Sequence, residues 1–204
     1  MKNNLVICIG RQFGSGGRHI GRLVGEKLGI KVYDKELINL ASEASGISKE
    51  LLKSYDEKPT NSLLYSLSLG TYSFESSMSG LPHMPIVDKV FAVQSQVIKD
   101  IADEGPCVII GRCADSILKG REKLLTVFIP ADLESRIERV KEYENCSVNE
   151  ATIIVKNADK KRAGYHNYFA DTKWGVATSY DLCIDSKIGF ERVADIIVDC
   201  ANRL

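Results

Sequence analysis

The chain has 204 residues, with 27 lysines and arginines against 27 aspartates and glutamates, so its formal net charge is zero. That balance points away from nucleic acid as a partner, and the absence of a signal-peptide pattern or a membrane-length apolar run points to a cytoplasmic protein with no membrane partner. The six cysteines are scattered without a CxxC pair, so neither disulfides nor zinc are expected, and Cys8, Cys107 and Cys183 lie in apolar strand-like runs where Cys serves as a small hydrophobe.

The first element is the run Leu5-Val6-Ile7-Cys8-Ile9, right in length for a buried parallel strand. It leads into Gly10-Arg11-Gln12-Phe13-Gly14-Ser15-Gly16-Gly17-Arg18-His19, and then into a helix with Ile20, Leu23, Val24 and Leu28 on one face. Strand, glycine-rich turn and helix together describe a phosphate cradle, with backbone N–H groups and the positive end of the helix dipole facing an anion. A plain tight turn needs one or two glycines, whereas Gly14, Gly16, Gly17 and Gly21 crowd eight positions here. Arg11, Arg18, His19 and Arg22 add positive charge. The motif departs from the standard P-loop G-x-x-x-x-G-K-[ST]. Gly17 stands at the lysine position, Arg11 at the first glycine, and no Ser or Thr follows. Arg18 is the residue expected to supply the missing charge, as a planar fork rather than a point charge.

A short strand at 31–33 ends at Asp34, which reads equally as a helix N-cap or as a ligand-facing group at a strand's C-terminal end. A helix over about 35–45 stops at Gly46, and another runs from Ser48 to about Tyr55. The stretch 57–85 is rich in Ser, Gly and Pro and too long for an ordinary connection, so it reads either as a mobile substrate-side insertion or as a poorly ordered, plain flexible loop. A helix over 87–104 follows, with Val90, Phe91, Val97, Ile98 and Ile101 inward. Cys107-Val108-Ile109-Ile110 is a third strand, and Gly111-Arg112 places an arginine at its C-terminal edge beside the cradle. Leu124-Leu125-Thr126-Val127-Phe128-Ile129 is a fourth strand, and Asp132 caps the next helix. Ser147-Val148-Asn149-Glu150 has the form of a capping box. The helix it opens carries Lys156, Asp159, Lys160, Lys161 and Arg162, either a solvated face or a basic lid over phosphate. Tyr165 to Phe169 then reads as an aromatic segment without a clear period. A fifth strand at 180–185 and a helix from Phe190, with Val193, Ile196, Ile197 and Cys200 inward, close the chain. Alternating strands and helices predict an α/β fold on a parallel sheet.

The order Gly-Ser-Gly-Gly-Arg after strand one, Tyr-Asp after strand two, Ile-Gly-Arg after strand three, Asp-Lys-Lys-Arg in the lid and Asp-Leu-Cys-Ile-Asp-Ser near the end resembles cytidylate kinases. Arg-Gln-Phe-Gly-Ser-Gly-Gly-Arg, Gly-Arg-Cys-Ala-Asp and the Trp-Gly after the lid resemble more closely the branch called cytidylate kinase-like proteins. The resemblance spans nearly the whole chain. It implies a P-loop NTPase fold with a five-stranded parallel sheet: a core of about 1–45, 86–138 and 176–204, a monophosphate-binding insertion of about 46–85, and a lid of about 139–175. It implies an ATP-dependent, Mg²⁺-assisted nucleoside monophosphate kinase acting on CMP or dCMP. Gly14, Ser15, Gly16, Gly17, Arg18 and His19 would hold the donor phosphates. Asp34 would face the acceptor or Mg²⁺, and Arg112 the acceptor phosphate with Asp115 close by. Arg162, with Lys160 and Lys161, would come from the lid onto the transferred group. Cytidylate kinases carry Lys where this chain has Gly17, Thr where it has His19, and Asp-Gly-Arg-Asp where it has Ile110-Gly111-Arg112-Cys113. Two other readings therefore stand beside the first: a nucleotide-binding module without chemistry, and a kinase for another small acceptor.

Overall fold

A computed structural model describes residues 4–57 and 85–204. Five strands, β1 (Val6–Arg11), β2 (Lys31–Tyr33), β3 (Cys107–Ile110), β4 (Leu124–Ile129) and β5 (Leu182–Cys183), form one sheet in the order β2-β3-β1-β4-β5. Every pairing is parallel, so each connection must cross over, and helices cover both faces. The period of two along the central strands sorts the core into two halves. Val6 and Cys8 of β1, with Cys107 and Ile109 of β3, pack under α2 (Glu36–Ser45), α3 (Lys49–Tyr55) and α4 (Ile86–Glu104). Ile7, Ile9, Val108 and Ile110 face α1 (Gly17–Leu28) and α8 (Phe190–Ala201) on the other side. The remaining α-helices among the described residues are α5 (Ala114–Ile117), α6 (Leu133–Glu144) and α7 (Val148–Phe169). No described helix is long and apolar enough to cross a membrane.

The expected caps form where the side chains allow them. Ser48 Oγ accepts from Leu51 N, Asp132 from Ser135 N at 2.8 Å, and Ser147 with Glu150 completes the capping box. Three expectations need correction. The aromatic segment at 165–169 is the continuation of α7, because tertiary contacts hold its side chains: Tyr165 is buried against Gln94, and Phe91 of α4 stacks on Phe169 at 3.8 Å between ring centroids. The fifth strand shrinks to Leu182–Cys183, since Asp181 spends its carboxylate on the Thr126 N–H and hydroxyl and Asp185 caps the next turn. On this edge strand Cys183 is exposed, while Cys8 and Cys107 are buried as read. The Ser-rich run from 58 to 84, expected as the substrate-side insertion, lies outside the described residues.

α6 and α7 form an antiparallel pair with a small core of its own, Val140, Ala151 and Val155, into which Phe13 of the glycine-rich loop packs. The loop is thereby held between the sheet and this helical pair.

Candidate active site

The glycine-rich loop leaves β1 and is anchored at its start. Gln12 N donates to Ile129 O at the end of β4, and Gln12 Oε1 accepts from Ala131 N at 3.0 Å. Ser15 is fully buried and turns its hydroxyl back onto Gln12 O at 2.9 Å, so it shapes the loop from within. Gly14 and Gly16 have φ of 76° and 82°, and Gly16 is the N-cap of α1. The first turn of α1 carries no acidic residue. Its leading N–H groups, at Gly17, Arg18 and His19, have no intrahelical acceptor by helix geometry and make an anion site with the dipole behind them. Beside it, the exposed His19 ring lies 5.6 Å from the Phe190 ring, and the Arg139 guanidinium lies 5.3 Å from the centroid of that same Phe190 ring.

Behind the loop is a cluster of arginines held by three carboxylates, Asp34, Asp56 and Glu57. Arg112 is 4 % exposed and grips Asp56 bidentately, Nε to Oδ1 and Nη2 to Oδ2, both at 3.0 Å, while Nη1 donates to Asp34 O at 2.7 Å. Burial lowers the Arg112 pKa, but Asp56, Glu57 and Asp34 outweigh it and leave it raised. Gly111, Arg112 and Cys113 all have positive φ, a turn that aims Arg112 back across the end of β3. Arg18 Nε meets Asp34 Oδ2 at 2.5 Å. The N-cap alternative for Asp34 is not taken: Lys35 precedes α2, and the Asp34 side chain serves the two arginines. Asp34 Oδ1 is buried without a hydrogen-bond partner.

Arg11, Arg162 and the Arg112 backbone N–H converge on Glu57. Arg11 Nη1 donates to Oε1 at 3.1 Å, Arg112 N to the same oxygen at 3.3 Å, and Arg162 Nε lies 3.4 Å from Oε2. Burial pushes the Glu57 carboxyl up, but the three guanidinium charges win and hold it far below the usual carboxylate range. Arg162 is lowered to about 10 by burial and by the facing Arg11 charge.

Helix α7 is tied to the loop by its Asp159, which accepts from Phe13 N at 2.7 Å and from the buried Arg136 at 2.5 Å. Of the expected lid cations, Arg162 enters the cluster, whereas Lys160 and Lys161 are exposed. A cavity of about 20 Å³, room for a water rather than a nucleotide, lies between Arg11, Arg162, Glu57, Asp115, His166 and Tyr180. There Asp115 pairs with His166 Nε2 at 2.8 Å. His166 Nδ1 and Tyr180 Oη are buried without a hydrogen-bond partner.

The structure thus brings Arg18, Asp34, Arg112 and Arg162 to one end of the sheet, with Asp115 a step away. Arg11, Asp56, Glu57, Arg136, Asp159 and His166 complete the arrangement and were not singled out as site residues from the sequence. The adjacent carboxylates Asp56-Glu57 at the foot of a short helix were a visible signal without a visible partner. As for ligands, the open N-terminus of α1 and the arginines fit a polyphosphate. Mg²⁺ finds no P-loop hydroxyl, because Arg18 and His19 follow Gly17 and Ser15 is committed; Asp34 Oδ1, which accepts no hydrogen bond and lies 3.7 Å from Arg112 Nη1, is the acceptor that suits a hydrated Mg²⁺.

Among solved structures, the chain is similar to an uncharacterised protein from Eubacterium ventriosum, at 26 % identity and a TM-score of 0.71, covering 97 % of this chain and 98 % of that one. It shares its fold with a shikimate kinase from Bacteroides thetaiotaomicron (12 % identity, TM-score 0.56, 97 % and 98 % covered). The same holds for an APS kinase from Mycobacterium tuberculosis in complex with AMPPNP and APS (17 % identity, TM-score 0.52, 99 % of both chains). No curated protein matches the chain. The five-stranded parallel sheet is that of the P-loop kinases, and the match to the family covers residues 6–188. The chain belongs to the cytidylate kinase-like family.

Proposed function

We propose that the protein is an ATP-dependent nucleoside monophosphate kinase with CMP or dCMP as the favoured acceptor. The observation that carries this reading is the convergence of the Arg11 and Arg162 guanidinium groups and the Arg112 backbone N–H on one anion, beside a helix N-terminus with no side-chain cap. Phosphoryl transfer asks for little covalent chemistry and for much fixed positive charge. An acceptor phosphate oxygen is already ionised at neutral pH. It forms the new bond to the γ-phosphorus while the old P–O bond breaks and its electron pair leaves on ADP, so no general base is required.

In this reading Gly14, Ser15, Gly16, Gly17, Arg18 and His19 form the donor cradle, and Arg18 adds charge at its mouth. Asp34, Arg112 and Asp115 face the acceptor. Arg162, with Lys160 and Lys161 on the solvent side of the same helix, serves from the lid. The division into core, acceptor-side insertion and lid belongs to the same proposal. Asp56 fills the Arg112 fork, so an acceptor phosphate takes the place of a carboxylate already seated there. Mg²⁺, when bound, neutralises donor phosphate charge, and Asp34 is the residue that would hold it through water.

A second reading, a kinase for a hydroxyl-bearing small acceptor, has one observation in its favour. Such an acceptor must lose a proton, and Asp115 with His166 offers a carboxylate–imidazole pair in the cavity next to the arginines. A coupled ADP-release assay with Mg²⁺-ATP separates the readings. Release that depends on CMP, dCMP or UMP supports the first, and release only with hydroxyl acceptors supports the second. Clear ATP binding with silence across both panels would sink both and leave a nucleotide-binding module.

A further inference from the structure

Two departures from the standard P-loop stand in register: Arg11 where the first glycine belongs and Gly17 where the lysine belongs. They fill one another's space. A Cβ at Gly17 would lie 2.5 Å from Arg11 Cβ and 3.0 Å from its Cγ, so the Arg11 stem runs where a side chain of residue 17 would begin. The head of Arg11 continues to the turn after β3, where a Cβ at Gly111 would lie 2.0 Å from Nη1. Gly17 has no positive φ, so close contact and not backbone shape is what excludes a side chain there.

The far end of Arg11 meets Glu57 together with Arg162 and the Arg112 N–H. Arg162 also donates to Arg11 O at 3.2 Å, so the two guanidinium groups are held side by side by the fold itself. Like charges this close, with side chains 8 % and 14 % exposed, need an anion between them, and Glu57 supplies it. It is a makeshift anion. Glu57 offers one charge and two oxygens, follows the end of α3, and holds a left-handed φ of 51° that disfavours a non-glycine residue. A phosphoryl group brings three oxygens and more charge to the same donors.

We propose that Arg11 takes the role of the P-loop lysine, and that with Arg162 and the Arg112 N–H it forms the seat of the transferred phosphoryl group, which Glu57 fills until a nucleotide binds. The transferred group rests on the kinase reading above, whereas the polyphosphate seat does not.

Calorimetric titration with tripolyphosphate tests the seat directly. Arg11→Met keeps the stem on Gly17 and removes the charge, and it should weaken binding at least about tenfold; Glu57→Gln removes the internal anion and should tighten it by a similar factor. Arg11→Gly should bind as weakly as Arg11→Met, and adding Gly17→Lys to it should restore binding, because the lysine enters the emptied space. Circular dichroism checks folding, and if Arg11→Gly is unfolded the Met variant decides. Undiminished binding by Arg11→Met, no binding by the wild type, or a folded double variant no tighter than Arg11→Gly overturns the proposal. Binding that responds as expected, without ADP release on any acceptor, overturns the kinase reading and leaves the seat standing.

Discussion

Removal of the Asp159 carboxylate is expected to loosen α7 from the glycine-rich loop at a measurable cost. Asp159 makes two contacts, with the Phe13 N–H at 2.7 Å and with Arg136 at 2.5 Å. The hydrogen bond to an ionised acceptor contributes about 1.5–3 kcal/mol. Stranding a wholly buried arginine costs about 3–5 kcal/mol, but Arg136 keeps Ala131 O at 3.0 Å and Phe13 O at 3.3 Å, and Asp159 is 17 % exposed. The arginine contribution is therefore discounted to about 1.5 kcal/mol, which with the low end of the hydrogen-bond range gives about 3 kcal/mol for Asp159→Ala. For a chain of this size that is a fall in Tm of about 6–12 °C. Arg136→Met should relieve part of it, since the double variant strands no charge, and the coupling in the cycle should reach about 1–3 kcal/mol. Thermal and urea melts followed by circular dichroism give all four values. A Tm change below about 2 °C for Asp159→Ala, or strict additivity in the cycle, would show that α7 is held to the loop by the Phe13 apolar contact alone and refute the reasoning.

Three further outcomes are expected. Glu57 has a folded pKa below its unfolded value of 4.5, so its stabilising contribution is complete above that pH and declines as pH falls further; urea midpoints between pH 7 and 3 should drop more steeply for the wild type than for Glu57→Gln, and parallel curves would contradict the assigned contacts. Tyr165→Phe leaves Gln94 Oε1 without its donor at a residue 1 % exposed, which should cost about 1–3 kcal/mol in urea unfolding, and no loss would mean that a second donor reaches that oxygen. Gly16→Ala places a Cβ 2.4 Å from Phe190 Cζ at a φ of 82°, so about 1–2 kcal/mol of backbone strain adds to the clash; Phe190→Ala should recover only the clash, and full recovery would place the whole cost in the ring.

Most of the fold was legible because it rests on local pattern. The run from Leu5 to Ile9, the face of α1 and the caps at Ser48, Asp132 and Ser147 each announce themselves within a few residues, and the structure forms them there. What was not legible depends on contacts made at long range. The aromatic end of α7 looks aperiodic because its side chains answer to Phe91 and Gln94 of α4 rather than to a single buried face. The edge strand reads long because a hydrophobic run does not show that Asp181 and Asp185 hydrogen-bond outside the ladder.

The site divides along the same line. Arg18, Asp34, Arg112 and Arg162 could be picked out because each stands at a marked place in the chain, at a helix start, at a strand end or in a basic run. Their counterions could not: Asp56 is 56 positions from Arg112, and Glu57 is 46 from Arg11 and more than twice that from Arg162. Yet the counterions decide how such a site works. A cluster of buried guanidinium groups without anions would open the fold, so the chain must carry its own carboxylates to the seats that phosphate is proposed to take. Exchange of one bound anion for another then leaves the arginines as desolvated as before, and the gain comes from the added charge and oxygens of the phosphate. Affinity in such a site is set by the difference between phosphate and carboxylate at the same donors, which is why the decisive substitutions are Glu57 and Asp56 as much as the arginines they hold.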